Sequence, residues 1–176
     1  MKARAAAIHT AKAFVFAGFA LLFLDRVWHL ATHLPARQGD FSLYARAAGG
    51  FLQGGNPYSV RGFIYPPAAL PIFLPFGLLP FKLAHQLYLA LKLTATCALL
   101  GLWLRRFIPR SEWLSFLIFA CVAYNSALYT DITYGNISTF EQVCLWLGLH
   151  GFLTRRNPWW LAVGIAGAAY FKFTLF

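Results

Sequence analysis

The stretch "LAHQLYLALKLTATCALLGLWL", Leu83–Leu104, constrains the fold more than any other. At about 1.5 Å of rise per residue it crosses the ~30 Å hydrocarbon core of a bilayer as a single helix. Helix is the form a lone span takes, because lipid offers no partner for an open backbone N–H or C=O. Further apolar runs follow the same logic: Phe14 to about Leu30, Trp113–Tyr129, Ile137–Leu153 and Pro158–Phe176. The chain is 60% hydrophobic and only 11% charged, too little charge to cover a soluble domain. An all-α, multi-pass membrane protein is therefore predicted. With no repeat or linker, residues 1–176 read as one transmembrane domain. "DRVWH" follows the first run where a signal peptide would carry small residues, so the run reads as a retained helix.

The net charge of +10 sits where membrane topology places it. Lys2, Arg4 and Lys12 precede the first span, Arg105, Arg106 and Arg110 form "RRFIPR", and Arg155 with Arg156 mark a later junction. Positive-inside bias makes these cytoplasmic and suits contact with anionic membrane lipids. No basic face with interleaved aromatics is present, which excludes a nucleic-acid partner. Cys97, Cys121 and Cys144 lie singly in apolar runs and read as small buried hydrophobes, neither disulfide framework nor metal knuckle.

Between the first two full spans lies an irregular region. "PPAALPIFLPFGLLP", Pro66–Pro80, is apolar but carries five prolines in 15 residues. That is shorter than the roughly 17–25 residues of a span, and interior prolines remove backbone donors. A re-entrant or interfacial segment is predicted, which puts Asp40 and Asp131 on the outer side and Arg106 and Arg156 inside. A helix from Ile64 to Lys82 is the alternative. The preceding loop, Gln38–Tyr65, begins with "DFSLYARAAGGFLQ". Phe41, Tyr44, Ala48, Phe51 and Leu52, with Leu43 nearby, fall near one stripe, and Arg46 and Gln53 lie away from it. An amphipathic helix in the membrane plane is predicted, ended by Gly54, Gly55 and Pro57.

With only five acidic residues in the chain, each can be weighed. Asp40 is either the N-cap of the amphipathic helix or a general base at the water–lipid boundary, and the roles can coexist. Asp131, in the "DITYGNIS" turn, is either a solvated turn carboxylate or a second polar group facing the same cavity. Asp25 and Arg26 either face a wet cavity or stand where the first span has ended. Glu141 and Gln142 pose the same choice. Asp25, His29 and His33 share a helix face, but interfacial anchoring explains them better than a metal site. Tyr58 and Tyr65 offer hydroxyls and rings to a sugar, or belong to an aromatic belt. Arg61 suits a phosphate or a headgroup. Lys172 either snorkels or presents an amine to an anionic lipid.

In order, Asp40-Phe41, Tyr44, Gly54 to Tyr58 and Tyr65-Pro66-Pro67 resemble the opening of glycosyltransferase family 87. These are polyprenyl-phosphate-dependent mannosyltransferases of the GT-C superfamily. "YGNISTFEQVCLWLGLHGFLTRRN" and the following Lys172 resemble its later turn, span, basic junction and lysine. The resemblance implies a polytopic GT-C bundle in the cell membrane, with its active site on the extracytoplasmic face. It implies transfer of a sugar, with inversion, from a polyprenyl-phosphate donor to a lipid or glycan acceptor. Asp40 would be the base, with Lys172 or Arg61 stabilising the departing phosphate. Tyr44, Tyr58, Tyr65, Asp131 and Asn136 would line the site, without metal or cofactor. This sequence departs from the family in two ways. Members are longer with more spans, so the resemblance covers the N-terminal portion of such a fold. Gly135-Asn136 also stands where Gly-Gln is commoner.

Two other classes fit the composition: a transporter or flippase, and a truncated non-catalytic membrane subunit. Buried charges and broken helices serve transporters too, but no inverted repeat is visible.

Overall fold

The computed structural model describes residues 2–33, 39–123 and 129–171, and every regular element among them is helical. The chain divides into two compact units, Met1–Pro35 with Leu100–Thr133 and Ala36–Leu99 with Tyr134–Phe176.

In the first unit, α1 (Lys2–Thr32) begins well before the predicted start at Phe14. "KARAAAIHTAK" is rich in alanine and lysine, both strong helix formers, so the helix extends back through polar sequence. It also continues through Asp25, Arg26 and His29 rather than ending there. Phe14, Leu21 and Trp28 project outward at seven-residue spacing, an apolar exterior suited to lipid. Helix α5 (Trp113–Ala123) packs on α1. The Lys12 Nζ donates to Ser115 Oγ at 2.7 Å, and the Arg26 guanidinium sits 4.6 Å from the centre of the Tyr129 ring. The rings of His29 and His33 stack at 4.3 Å.

The second unit holds α2 (Asp40–Leu52), α3 (Leu70–Gly77), most of α4 (Phe81–Arg106), α7 (Ser138–Arg155) and α8 (Pro158–Phe171). Helix α2 forms where the amphipathic pattern predicted it. Its buried set is Phe41, Ser42, Tyr44, Ala47 and Ala48, whereas Phe51 and Leu52 of the same stripe are exposed. A Cβ added at Gly77 would lie 2.7 Å from Gly49 N and 2.9 Å from the Ala48 carbonyl carbon, so the end of α3 packs directly on the α2 backbone there. Helix α2 stops as Gly54 takes a φ of 80°, a left-handed value; Gly55 does not use that freedom.

The proline segment is broken, as its composition requires. A 3-10 turn over Pro67–Ala69 runs into α3, which carries Pro75 inside it. The combined Pro67–Gly77 piece reaches about 16 Å at helical rise, well short of the hydrocarbon thickness. The continuous Ile64–Lys82 helix does not form. Two helices do have the length and hydropathy to cross: Ala6–Thr32, of 27 residues, and Phe81–Arg106, of 26.

Helices α7 and α8 pack through glycine. A Cβ at Gly164 would sit 2.7 Å from the Cys144 carbonyl oxygen and 2.8 Å from Gly148 Cα. Between them Arg156 adopts φ 52°, and Asn157 Oδ1 accepts the Trp159 N–H at 3.0 Å.

Candidate functional site

The cap position of α2 belongs to Gly39, so Asp40 is the first helical residue and the N-cap reading of Asp40 is corrected. The reason is space: a Cβ at Gly39 would lie 2.6 Å from the Tyr134 carbonyl oxygen. Only glycine fits, and the carboxylate is displaced one residue into the helix. It stays in the first turn, where the helix dipole favours negative charge, and it is half-buried.

On its other side Asp40 is bounded by the turn after α6 (Tyr129–Tyr134). This segment was predicted as one irregular turn; instead it is a short helix followed by a reversal at Gly135, whose φ is 67°. A Cβ at Gly135 would meet the Phe41 Cβ at 2.6 Å. Tyr134 and Gly135 therefore press on the two residues flanking Asp40. Asn136 follows, its Oδ1 accepting the Ser138 N–H at 3.1 Å to start α7.

The carbonyl oxygen of Asn136 accepts from Lys92 Nζ at 2.5 Å and from the Tyr88 hydroxyl at 3.3 Å. Lys92 is 0% exposed. Sequence reasoning passed over it, although the signal was present: His85, Tyr88 and Lys92 recur at three- and four-residue spacing inside an apolar span. All three are buried. The Tyr88 ring stacks on Phe41 at 4.5 Å, and His85 meets Phe41 at 5.8 Å between ring centroids.

Below the start of α2 lies a tyrosine pair. The Tyr44 hydroxyl donates to the Tyr65 hydroxyl at 2.6 Å, while the Tyr44 ring stacks on Phe73 at 4.3 Å. Burial pushes the Tyr44 phenol far above its usual range, and its bond to Tyr65 and the nearby Asp40 charge push the same way. The Tyr65 phenol is also raised, chiefly by burial, with the bond from Tyr44 opposing. Tyr58 packs beside Phe63, donates its hydroxyl to the Tyr65 carbonyl at 3.0 Å and remains exposed. Arg61 is exposed in the turn before Gly62, whose φ is 92°. An apolar cavity of about 330 Å³ opens nearby, bordered by Phe73, Phe76, Tyr88, Ile137, Phe140 and Phe171.

Of the residues singled out from sequence, Asp40, Tyr44, Tyr58, Arg61, Tyr65 and Asn136 thus fall in one unit. Asp131, half-buried on α6, belongs to the other. Lys172 lies outside the described residues. Among the described residues no group of three or more His, Cys, Asp or Glu side chains is arranged to hold a metal ion.

The profile of one protein family, glycosyltransferase family 87, matches residues 63–175, more than half of the chain. The chain belongs to glycosyltransferase family 87. Comparison with curated proteins and with solved structures returned no match. Family 87 membership makes a sugar donor and an acceptor its substrates in general terms. With the two long apolar helices, it identifies a membrane protein. The matched region holds Tyr65, Lys92, Asp131 and Asn136; Asp40, Tyr44, Tyr58 and Arg61 precede it.

Proposed function

We propose that this family 87 chain transfers a sugar, mannose or a related hexose or pentose, from a polyprenyl-phosphate donor to a lipid or glycan acceptor at the extracytoplasmic face. What carries the reading is the setting of Asp40: a half-buried carboxylate opening α2, with both flanking residues held by the Tyr134–Gly135 backbone. Asp40 takes the proton of the acceptor hydroxyl as that oxygen attacks the anomeric carbon. The bond to the phosphate oxygen breaks on the opposite side, giving inversion, and the polyprenyl phosphate leaves with the bonding electrons. Arg61 and Lys172 are the cations proposed to meet that phosphate. Tyr58 is the aromatic offered to the sugar. Tyr44 and Tyr65 enter by fixing the floor beneath Asp40. Asn136 completes the polar lining.

The fold proposed for this activity is a single GT-C domain with several further crossings. Pro66–Pro80 re-enters at the outer interface, and α2 lies along it with Phe51 and Leu52 toward lipid.

Substitution tests the base. Asp40→Asn preserves shape and, away from the cap, gives up a dipole interaction of about 0.3–1 kcal/mol. Removal of a general base lowers rate about 10²–10⁴-fold. Membranes carrying the variant should hold normal amounts of folded protein yet transfer little radiolabelled mannose from polyprenyl-phosphate mannose. Near-normal transfer by Asp40→Asn rules Asp40 out as the base.

A further inference from the structure

We infer that Lys92 is a positioning residue for Asp40, acting through the backbone of the Tyr134–Asn136 turn. This rests on the proposed role of Asp40 as base. Among the described residues Lys92 is the one Lys, Arg, Asp or Glu in the fully buried core. A buried ammonium is tolerated where strong acceptors meet it. Here its Nζ donates to the Asn136 carbonyl, in a bond strengthened by the donor's charge. That carbonyl belongs to the turn whose preceding residues bear on α2: Tyr134 against Gly39 and Gly135 against Phe41. Asp40 lies between those two contacts. Helix α4, 26 residues long, is the rigid post, and Lys92 is the tie between post and turn. Tyr88 reinforces the junction twice, donating to the same carbonyl and stacking on Phe41. Because Lys92 is wholly enclosed and holds the turn's backbone, it sets where the carboxylate stands rather than contacting a substrate.

The test combines hydrogen exchange with kinetics on the full chain in detergent. Lys92→Met keeps side-chain length and removes the charged donor. The amides of Phe41–Tyr44 in the first turns of α2 should exchange faster, while those of α8 stay as in the wild type. Lys92→Gln, which keeps a neutral donor in a shorter side chain, should loosen the same amides less than Lys92→Met and gives a second folded variant on which the tie can be judged. Lys92→Arg, which keeps charge and donor, should restore part of the protection. Transfer from polyprenyl-phosphate mannose should show kcat lowered about 10²-fold in Lys92→Met, the scale of a small misplacement of a reacting group, with donor KM unchanged. Unaltered exchange at Phe41–Tyr44 in folded Lys92→Met overturns the inference. So does a raised donor KM with kcat intact, which would put the ammonium on the donor. A wild type that transfers nothing from this donor refutes the proposed activity, and exchange still decides the positioning role.

Discussion

Replacing Tyr44 by phenylalanine separates a supporting tyrosine from one that touches sugar. The change removes only the oxygen that donates to Tyr65 at 2.6 Å and leaves the ring on Phe73 in place. Because Tyr65, whose hydroxyl loses its donor, is itself buried at 8% exposure, water replaces the lost partner poorly. Leaving a buried hydroxyl without its donor costs about 1–3 kcal/mol. The pair also carries a pH signature. Burial raises the folded-state pKa of Tyr44 well above the unfolded value near 10. The stability linked to the neutral phenol is therefore fully present below pH 10. It is lost as pH climbs from there toward the folded pKa, because only the unfolded chain releases the proton. At pH 11 that loss is about 1.4 kcal/mol for a phenol still neutral in the folded state. Tyr44→Phe should thus be less stable than wild type by about 1–3 kcal/mol at pH 8. The gap should shrink by about 1.4 kcal/mol at pH 11. Detergent unfolding curves at the two pH values measure both effects, and the KM for donor and acceptor should not move. Equal stability together with a raised KM would refute the reasoning and place the hydroxyl on the sugar. A gap independent of pH would refute the raised pKa.

Two further outcomes follow from packing and charge. Gly164→Ala drives a methyl into the Cys144 carbonyl and Gly148, separating α7 from α8. It should destabilise by about 1–3 kcal/mol, read as a lowered unfolding midpoint in detergent. In a cysteine-free background, Arg61→Cys should react with an impermeant thiol reagent on intact cells and Arg156→Cys should not, because the proposed topology, with Pro66–Pro80 not crossing, sets the two on opposite sides. Labelling of both overturns the non-crossing reading of that segment.

The parts legible in sequence were those that periodicity and backbone chemistry govern locally. Helix α4 followed from an uninterrupted apolar run, α2 from its stripe, and the break at Pro67–Gly77 from its prolines. What escaped depends on contacts between distant segments. Nothing near Asp40 signals that Tyr134 occupies the space beside Gly39, yet that contact decides which residue caps α2. Nothing near Tyr44 shows that Tyr65 will accept its hydroxyl. Lys92 was visible as a cation within a span, but the Asn136 carbonyl it meets is backbone, which no side-chain pattern announces. Asp131 stands on a short helix rather than in a turn for a local reason: "DITYGN" reads as a turn, and the reversal waits until Gly135.

The bond between Lys92 and Asn136 also sets an order of events during synthesis. The two residues are 44 apart in sequence, so α4 leaves the ribosome well before the carbonyl that its lysine requires. At about 5–20 residues per second the interval is roughly 2–9 s. A lysine near the middle of an inserting helix disfavours partition into lipid by about 2.5–3.5 kcal/mol on the insertion scale. For those seconds α4 is a reluctant guest of the bilayer, favoured to linger beside the translocon where water remains within reach. The Gly135–Asn136 reversal brings the acceptor that the ammonium meets in the folded chain, so on the proposed role of Asp40 this joint closes as the candidate site assembles.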